Sequence, residues 1–273
     1  MQPRFDFGNN WKVFNAKSDS SYIELSKSNL ENLIGKETIF NKSVFDIGSG
    51  SGIHALSFLL LGAKKIKAID LDTNSVEATR ERLNKHDPEG KSWSSEVGDI
   101  LQLTSNLKEG FDIVYSWGVL HHTGNMKEAI INAASFCKEG GCIVLGIYRK
   151  TTLCGFWKIE KLLYNYLPGV FRRFIDLSFG LSILFGKWIK GISPFDFLRD
   201  YKKLRGMDFM TDVRDWLGGY PYESASPNQI HDLLSGLGFK VVNSNVRENQ
   251  FGLFGSGCNE YVYRRQKQIP DSK

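Results

Sequence analysis

The run Asp46-Ile47-Gly48-Ser49-Gly50-Ser51-Gly52 leaves an apolar stretch, SVFDI, and enters a longer one, IHALSFLLLGA. Glycines at every second position let a backbone turn sharply and approach a ligand closely, and the first N–H groups of a following helix attract negative charge. Asp70 ends a second apolar stretch, KIKAID, 22 residues after Gly48. That is the separation at which a nucleotide-binding βαβ unit places the carboxylate that takes a ribose. A dinucleotide fingerprint asks for its third glycine at position 53, which is Ile53; here the third glycine is Gly52, and Asp46 flanks the loop. A carboxylate there repels a pyrophosphate and suits a cation, so a nicotinamide dinucleotide is disfavoured. Further along, His121 and His122 follow the apolar run FDIVYSW. An imidazole at a strand end is either a proton acceptor near neutral pH or a packing and capping group.

The elements that must position these residues alternate as a parallel α/β sheet does. Strands are expected at 43–47, 65–70, near 93–97, at 111–117 and at 140–148. Helices are expected at about 19–34, after Gly52 up to Gly62, after Thr73 or Asn74 as a cap, and over 126–137. A helix at 227–236 begun by Pro227 and strands at 239–246 and 259–264 resume the pattern. Between them, residues 149–226 are aromatic and basic without clear alternation, with 13 Lys/Arg against 6 Asp/Glu over 149–214. This charge is scattered among aromatics, and no added RNA-binding module accompanies it, so nucleic acid is not the expected partner.

The 273 residues, 41% of them hydrophobic and 24% charged with a net charge of +5, exclude a disordered chain and a coiled coil. The N-terminus has no secretory pattern, and no stretch is long and apolar enough for a membrane span. The four cysteines form no CxxC pair, which argues against a zinc knuckle and fits free thiols in a reducing cytoplasm.

On its motifs the chain resembles the class I methyltransferases that use S-adenosylmethionine (SAM). DIGSGSG is similar to that family's first motif, AIDLD to its second, VGDI to its third, and FDIVYSWGVLHHTGNMKEA to its fourth-strand segment, which faces the substrate. FGNNW, SWGVLHHTGNM, RGM…DWLGGYPYE and GCNEYVY are also similar to a bacterial and archaeal subgroup, a likeness that names no acceptor. The resemblance implies an α/β, Rossmann-like fold: a seven-stranded, mostly parallel sheet with its last strand antiparallel. It also implies a helical N-terminal extension or lid (1–40), a SAM-binding core (41–148), a mainly helical inserted cap (149–226), a returning helix and strands (227–265) and a flexible tail (266–273).

Carried over by position, Asp46, Gly48, Ser49 and Gly50 would hold the methionine part of SAM, with Gly52 shaping the loop. Asp70 would take the ribose, Leu71 would pack on the adenine and Asp99 would take its amino group. Ile100 would pack beside the ring or use its backbone, and Trp117 would sit by the methyl donor. Candidate bases are His121, His122 and Glu223; candidate acceptor contacts are Trp11, Tyr222, Asn259 and Glu260. Tyr222-Glu223 reads equally as a structured loop. The ExxEH pattern of some quinone O-methyltransferases, associated with a divalent metal, is replaced by Gly118 and His121, so no metal is expected. The expected reaction turns SAM into S-adenosylhomocysteine while methylating a hydroxyl on a glycan, a lipid-linked precursor or a small metabolite. O-methylation is preferred because no NPPY-like motif is present. Transfer-RNA modification and non-catalytic SAM binding are the competing readings. The stretch 171–190 reads as a peripheral membrane contact, a holder of a lipid tail, or a buried cap helix.

Overall fold

The computed structural model describes residues 20–103, 110–205, 208–247 and 251–267. Trp11 lies outside them. Seven strands form one sheet: β1 (Ser43–Ile47), β2 (Lys65–Asp70), β3 (Trp93–Val97), β4 (Phe111–Trp117), β5 (Cys137–Tyr148), β6 (Phe239–Asn245) and β7 (Cys258–Arg265). Their spatial order is β3-β2-β1-β4-β5-β7-β6. The pairings of β1 with β2 and β4, β2 with β3, and β4 with β5 are parallel; β7 runs antiparallel to both β5 and β6. The central strands read as continuous apolar runs because helices cover both their faces.

Two apolar layers result. One joins Phe45, Val114, Ile143 and Tyr261 to α5 (Met126–Ser135) and α10 (Pro227–Gly236). The other joins Val44, Ile113, Val144 and Val262 to α1 (Ser20–Ile34), α2 (Lys36–Ile39) and α3 (Ile53–Leu60). The helix α4 (Thr73–Asn84) packs against β2 and β3. Its cap is Asp72 rather than Thr73 or Asn74, because the Asp72 carboxylate already accepts from the backbone of Asn74 and Ser75. At α10, Ser226 and Gln229 form a reciprocal capping box with Pro227 in the first turn. β5 begins earlier than the glycine pair suggests: Cys137 pairs with Phe111, and a bulge separates that pair from the one between Ile113 and Cys142.

Between β5 and α10 the chain forms four helices: α6 (Cys154–Tyr166), α7 (Gly169–Ile189), α8 (Pro194–Arg205) and α9 (Phe209–Gly218). They surround a separate core of Trp157, Tyr164, Phe209, Val213, Leu217 and Tyr222. The exit and return of this excursion lie side by side. Lys150 N–H donates to the Ala225 carbonyl, Ala225 N–H to Tyr148, and Glu223 N–H to His121. This doorway lets a helical unit enter the chain without disturbing the sheet.

Candidate functional site

The glycine loop is built into the carboxyl ends of β1 and β2. Gly48 and Ser49 N–H both donate to the Ile69 carbonyl, and Gly52 N–H donates to Ser49. Gly50 N–H donates to Asp70 Oδ2 at 2.9 Å, and Asp72 N–H to Asp70 Oδ1 at 3.0 Å. Four loop amides are therefore occupied inside the protein, leaving fewer donors to cradle a pyrophosphate than a phosphate-binding loop presents. Gly48 has φ of +78°, and a Cβ there would run into the methyl groups of Val119.

Asp46 is 2% exposed, and its Oδ2 has no hydrogen-bond partner. Burial, reinforced by the Asp70 charge, pushes its carboxyl up to about 7. Burial also raises Asp70, against the pull of the amides that bind it. Two carboxylates from adjacent strands thus stand against the loop, and one oxygen of Asp46 has no partner within the protein.

Two residues of α4 hold the loop in place. Thr79 Oγ1 donates to Ser49 Oγ at 3.0 Å, and Arg82 Nε donates to the Ser51 carbonyl at 2.8 Å. Sequence reasoning assigned neither residue a role at the loop. A cation three residues beyond Thr79, among otherwise apolar packing positions, was the available signal.

Leu71 stands 44% exposed beside Asp70. Asp99 Oδ1 accepts from Leu101 N–H. The Ile100 side chain is in the core, so only its backbone is free of packing, and its carbonyl accepts from Asn132.

At the end of β4, Trp117 is 39% exposed. Its indole N–H donates to Glu260 Oε1 at 2.8 Å, while Asn245 donates to Glu260 Oε2 at 3.0 Å. Gly146, opposite Glu260 in the β5–β7 ladder, makes room for this arrangement. A Cβ at Gly146 would lie 2.5 Å from the Trp117 ring. His54 completes the wall, its ring 5.1 Å from Tyr115 and 6.1 Å from Trp117; burial holds it down at about 4.

The other candidates are spent inside the fold. His121 is fully buried, with its ring 3.8 Å from that of Tyr148. Tyr148 N–H donates to its Nδ1, which puts the proton on Nε2, an atom without a partner. Burial, then the neighbouring His122 and Lys161, holds His121 well below the usual imidazole range. His122 Nδ1–H donates to the Pro221 carbonyl at 2.7 Å, and burial lowers this ring to about 4. Glu223 Oε2 accepts from Met126 N–H and so caps α5. Tyr222 is buried, its hydroxyl donating to Cys154 Sγ at 3.3 Å and lying 3.4 Å from the Ser256 hydroxyl, from which it accepts. Asn259 is 1% exposed and accepts from Arg247 N–H. Of the bases and acceptor contacts that the sequence offers, His121, Tyr222 and Asn259 are buried and His122 and Glu223 half-buried, and each makes a hydrogen bond within the protein. Glu260 alone of the acceptor candidates described here stands next to Trp117.

Sequence reasoning also missed Lys161. Its Nζ is buried without a hydrogen bond, 3.7 Å from the Trp216 ring centre and near the rings of Tyr222 and Trp157. Among the described residues, no group of three or more His, Cys, Asp or Glu side chains is arranged to hold a metal ion.

Residues 44–141, which span β1 to the first part of β5, match the family described as "Methyltransferase domain". The match covers about a third of the chain. The ribosomal protein L11 methyltransferase of Staphylococcus haemolyticus (strain JCSC1435) is 36% identical over 107 residues, 39% of this chain and 32% of that protein. The chain thus spans about a third of that relative's length. Among solved structures, the magnesium protoporphyrin IX methyltransferase of Synechocystis PCC 6803, with bound S-adenosylhomocysteine, covers 94% of this chain and 94% of its own. It does so at a TM-score of 0.56 and 16% identity. The N-methyltransferase NodS of Bradyrhizobium japonicum WM9 covers 91% of this chain and 99% of its own, at a TM-score of 0.53 and 15% identity. The whole sheet, not only the matched domain, therefore has the Rossmann-like fold of class I methyltransferases.

Proposed function

We propose that this chain is a SAM-dependent methyltransferase that methylates a hydroxyl on a glycan, a lipid-linked precursor or a small metabolite, releasing S-adenosylhomocysteine. One observation carries the reading: a glycine loop with two carboxylates against it, buried Asp46 and amide-bound Asp70, inside the stretch that matches a methyltransferase domain. The sulfonium and ammonium of SAM meet this charge favourably; a pyrophosphate does not. Asp70 exchanges its Gly50 and Asp72 amides for ribose hydroxyls or shares them, Asp99 and the Ile100 backbone serve the adenine, and Leu71 packs on it. The donor is already activated, so the remaining task is alignment and exclusion of water.

In this reading Trp117, fixed by Glu260, lies beside the transferred methyl, and Glu260 and His54 face the acceptor. His121, His122 and Glu223 are positioning residues that tie the end of β4 to the cap. The division into a SAM-binding core, an N-terminal lid carrying Trp11, and a cap that selects the acceptor belongs to the same proposal. So does a cytoplasmic location, which suits the four free thiols.

The test is equilibrium binding of SAM and NAD, followed by incubation with methyl-labelled SAM and fractionated cell extract. Binding of SAM but not NAD, with label in glycan, lipid or small-molecule fractions, is the expected result. Asp70→Ala should abolish binding. Label in RNA, or SAM bound as tightly by Asp70→Ala as by the parent, overturns the reading.

A further inference from the structure

The helix α7 carries large apolar side chains on two sides, and only one of these sides is covered. Ile175, Phe179 and Ile183 face inward onto the cap core. Phe171, Phe174, Leu177, Leu181, Phe185 and Trp188 are each 58–71% exposed. At about 100° per residue these six fall within an arc of roughly 120°, a single stripe along the helix. The stripe runs into a mainly apolar groove of about 350 Å³ lined by Leu177, Leu181, Leu184, Leu198, Phe209 and Met210, with Asp208, the cap of α9, at its edge. Soluble surfaces rarely leave an apolar patch this continuous in water.

The exposed charge on α7 itself has one sign. α7 carries Arg172, Arg173 and Lys187, and Lys190 follows it. Its one acid, Asp176, is buried, accepting from the Tyr164 hydroxyl and facing Arg214. The cations stand near both ends of the helix, with Phe171 and Phe174 at one end, Phe185 and Trp188 at the other, and leucines between. Among the described residues no helix is long and apolar enough to cross a membrane.

We propose that the outer face of α7 is a docking surface for an anionic lipid bilayer. The helix lies flat at the boundary between headgroups and acyl chains, and exposed Arg173 and Lys190 reach anionic headgroups, while Arg172 is held by the Asn165 and Leu167 carbonyls and Lys187 lies over Phe197; the groove beside the helix admits acyl carbons. A second copy of the chain would bring a basic-flanked face against an identical one, so charge complementarity favours the bilayer. This inference does not depend on the methyl acceptor.

The test is flotation of the full chain with vesicles of phosphatidylcholine alone and of an equal mixture of phosphatidylcholine and phosphatidylglycerol. Binding to the mixed vesicles that weakens with salt is expected. Arg173→Glu and Lys190→Glu should each weaken it about fivefold or more, and Phe174→Ser and Leu181→Ser about tenfold each. These side chains are exposed, so the variants should melt like the parent and bind SAM as it does, which separates this test from that of the methyltransferase reading. As a second measurement, brominated lipid should quench tryptophan emission in the parent, and less so in Trp188→Phe. A parent that ignores mixed vesicles overturns the proposal. So does a parent that forms a dimer dispersed by Phe174→Ser while showing no vesicle affinity, which would assign the face to a second copy.

Discussion

If the sulfonium and ammonium of SAM settle beside Asp46, SAM binding must be linked to a proton. Burial and Asp70 push the free carboxyl up to about 7, so below that pH the unliganded protein holds Asp46 neutral. A cationic ligand favours the ionised form, and binding at pH about 6 then expels a proton. For a carboxyl titrating near 7 whose ionised form alone binds, affinity rises about tenfold between pH about 6 and about 8, then levels off. Asp70 is raised as well, so the variant Asp46→Asn isolates the effect: its affinity is weaker at pH 8 and nearly flat across the range.

The same group makes a stability prediction of opposite sign. Between the ordinary value of 3.8 and about 7, the folded state keeps a proton that the unfolded chain has lost, so this contribution falls as pH rises through that window. Above it, ionised Asp46 costs up to roughly 4 kcal/mol. Asp46→Asn should therefore melt higher than the parent at pH about 8 and no higher at pH about 4. Titration calorimetry in buffers of different ionisation enthalpy reads the proton, and thermal melts read the stability. SAM affinity that is flat with pH in the parent, or proton uptake on binding, would refute the placement of the cation.

Three further outcomes test the surrounding architecture. Gly146→Ala drives a Cβ into the Trp117 ring, so it should break the indole–Glu260 bond, cost about 1–3 kcal/mol in a chemical melt and shift tryptophan emission. Glu223→Gln keeps an acceptor for Met126 N–H and should retain turnover, whereas Glu223→Ala loses the cap and about 1 kcal/mol; a collapse of turnover in the Gln variant with stability intact would make Glu223 a base. Burial holds the Lys161 amine well below its usual range, so Lys161→Met, which fills the aromatic cage without a charge, should raise the melting temperature, and more at acidic pH.

What the sequence made legible is what lies close along the chain. The loop, Asp46 and Asp70 sit on consecutive strands of one βαβ unit, where the spacing itself encodes the geometry. β1, β2 and β4 begin and end where periodicity places them because buried parallel strands leave little choice of face. The contacts that escaped join distant segments. Trp117 and Glu260 are 143 residues apart and meet only because β7 inserts beside β5. Lys161 reads in sequence as one more charge on a cap helix. Its burial follows from Trp157, Trp216 and Tyr222 converging from three segments. His121 and His122 were legible as residues but not in their surroundings, since the carbonyl that receives His122 belongs to Pro221, near the end of the cap.

That pattern bears on where specificity resides. The matched domain ends at residue 141, before the cap, Asn245 and Glu260 enter the chain. The glycine loop asks only for a cation and a ribose, a demand that any acceptor chemistry shares. Among the described residues, the part-exposed carboxylate fixed beside Trp117 is Glu260, and its two hydrogen-bond donors come from β4 and β6. In the proposed reading, with Asn245 on Oε2 and Trp117 on Oε1, an incoming hydroxyl would replace or share one of these bonds. Asn245→Ala frees Oε2 without touching the loop. It should change KM for the acceptor while leaving SAM affinity at the parent value; a loss of SAM affinity instead would place Glu260 on the cofactor's side of Trp117.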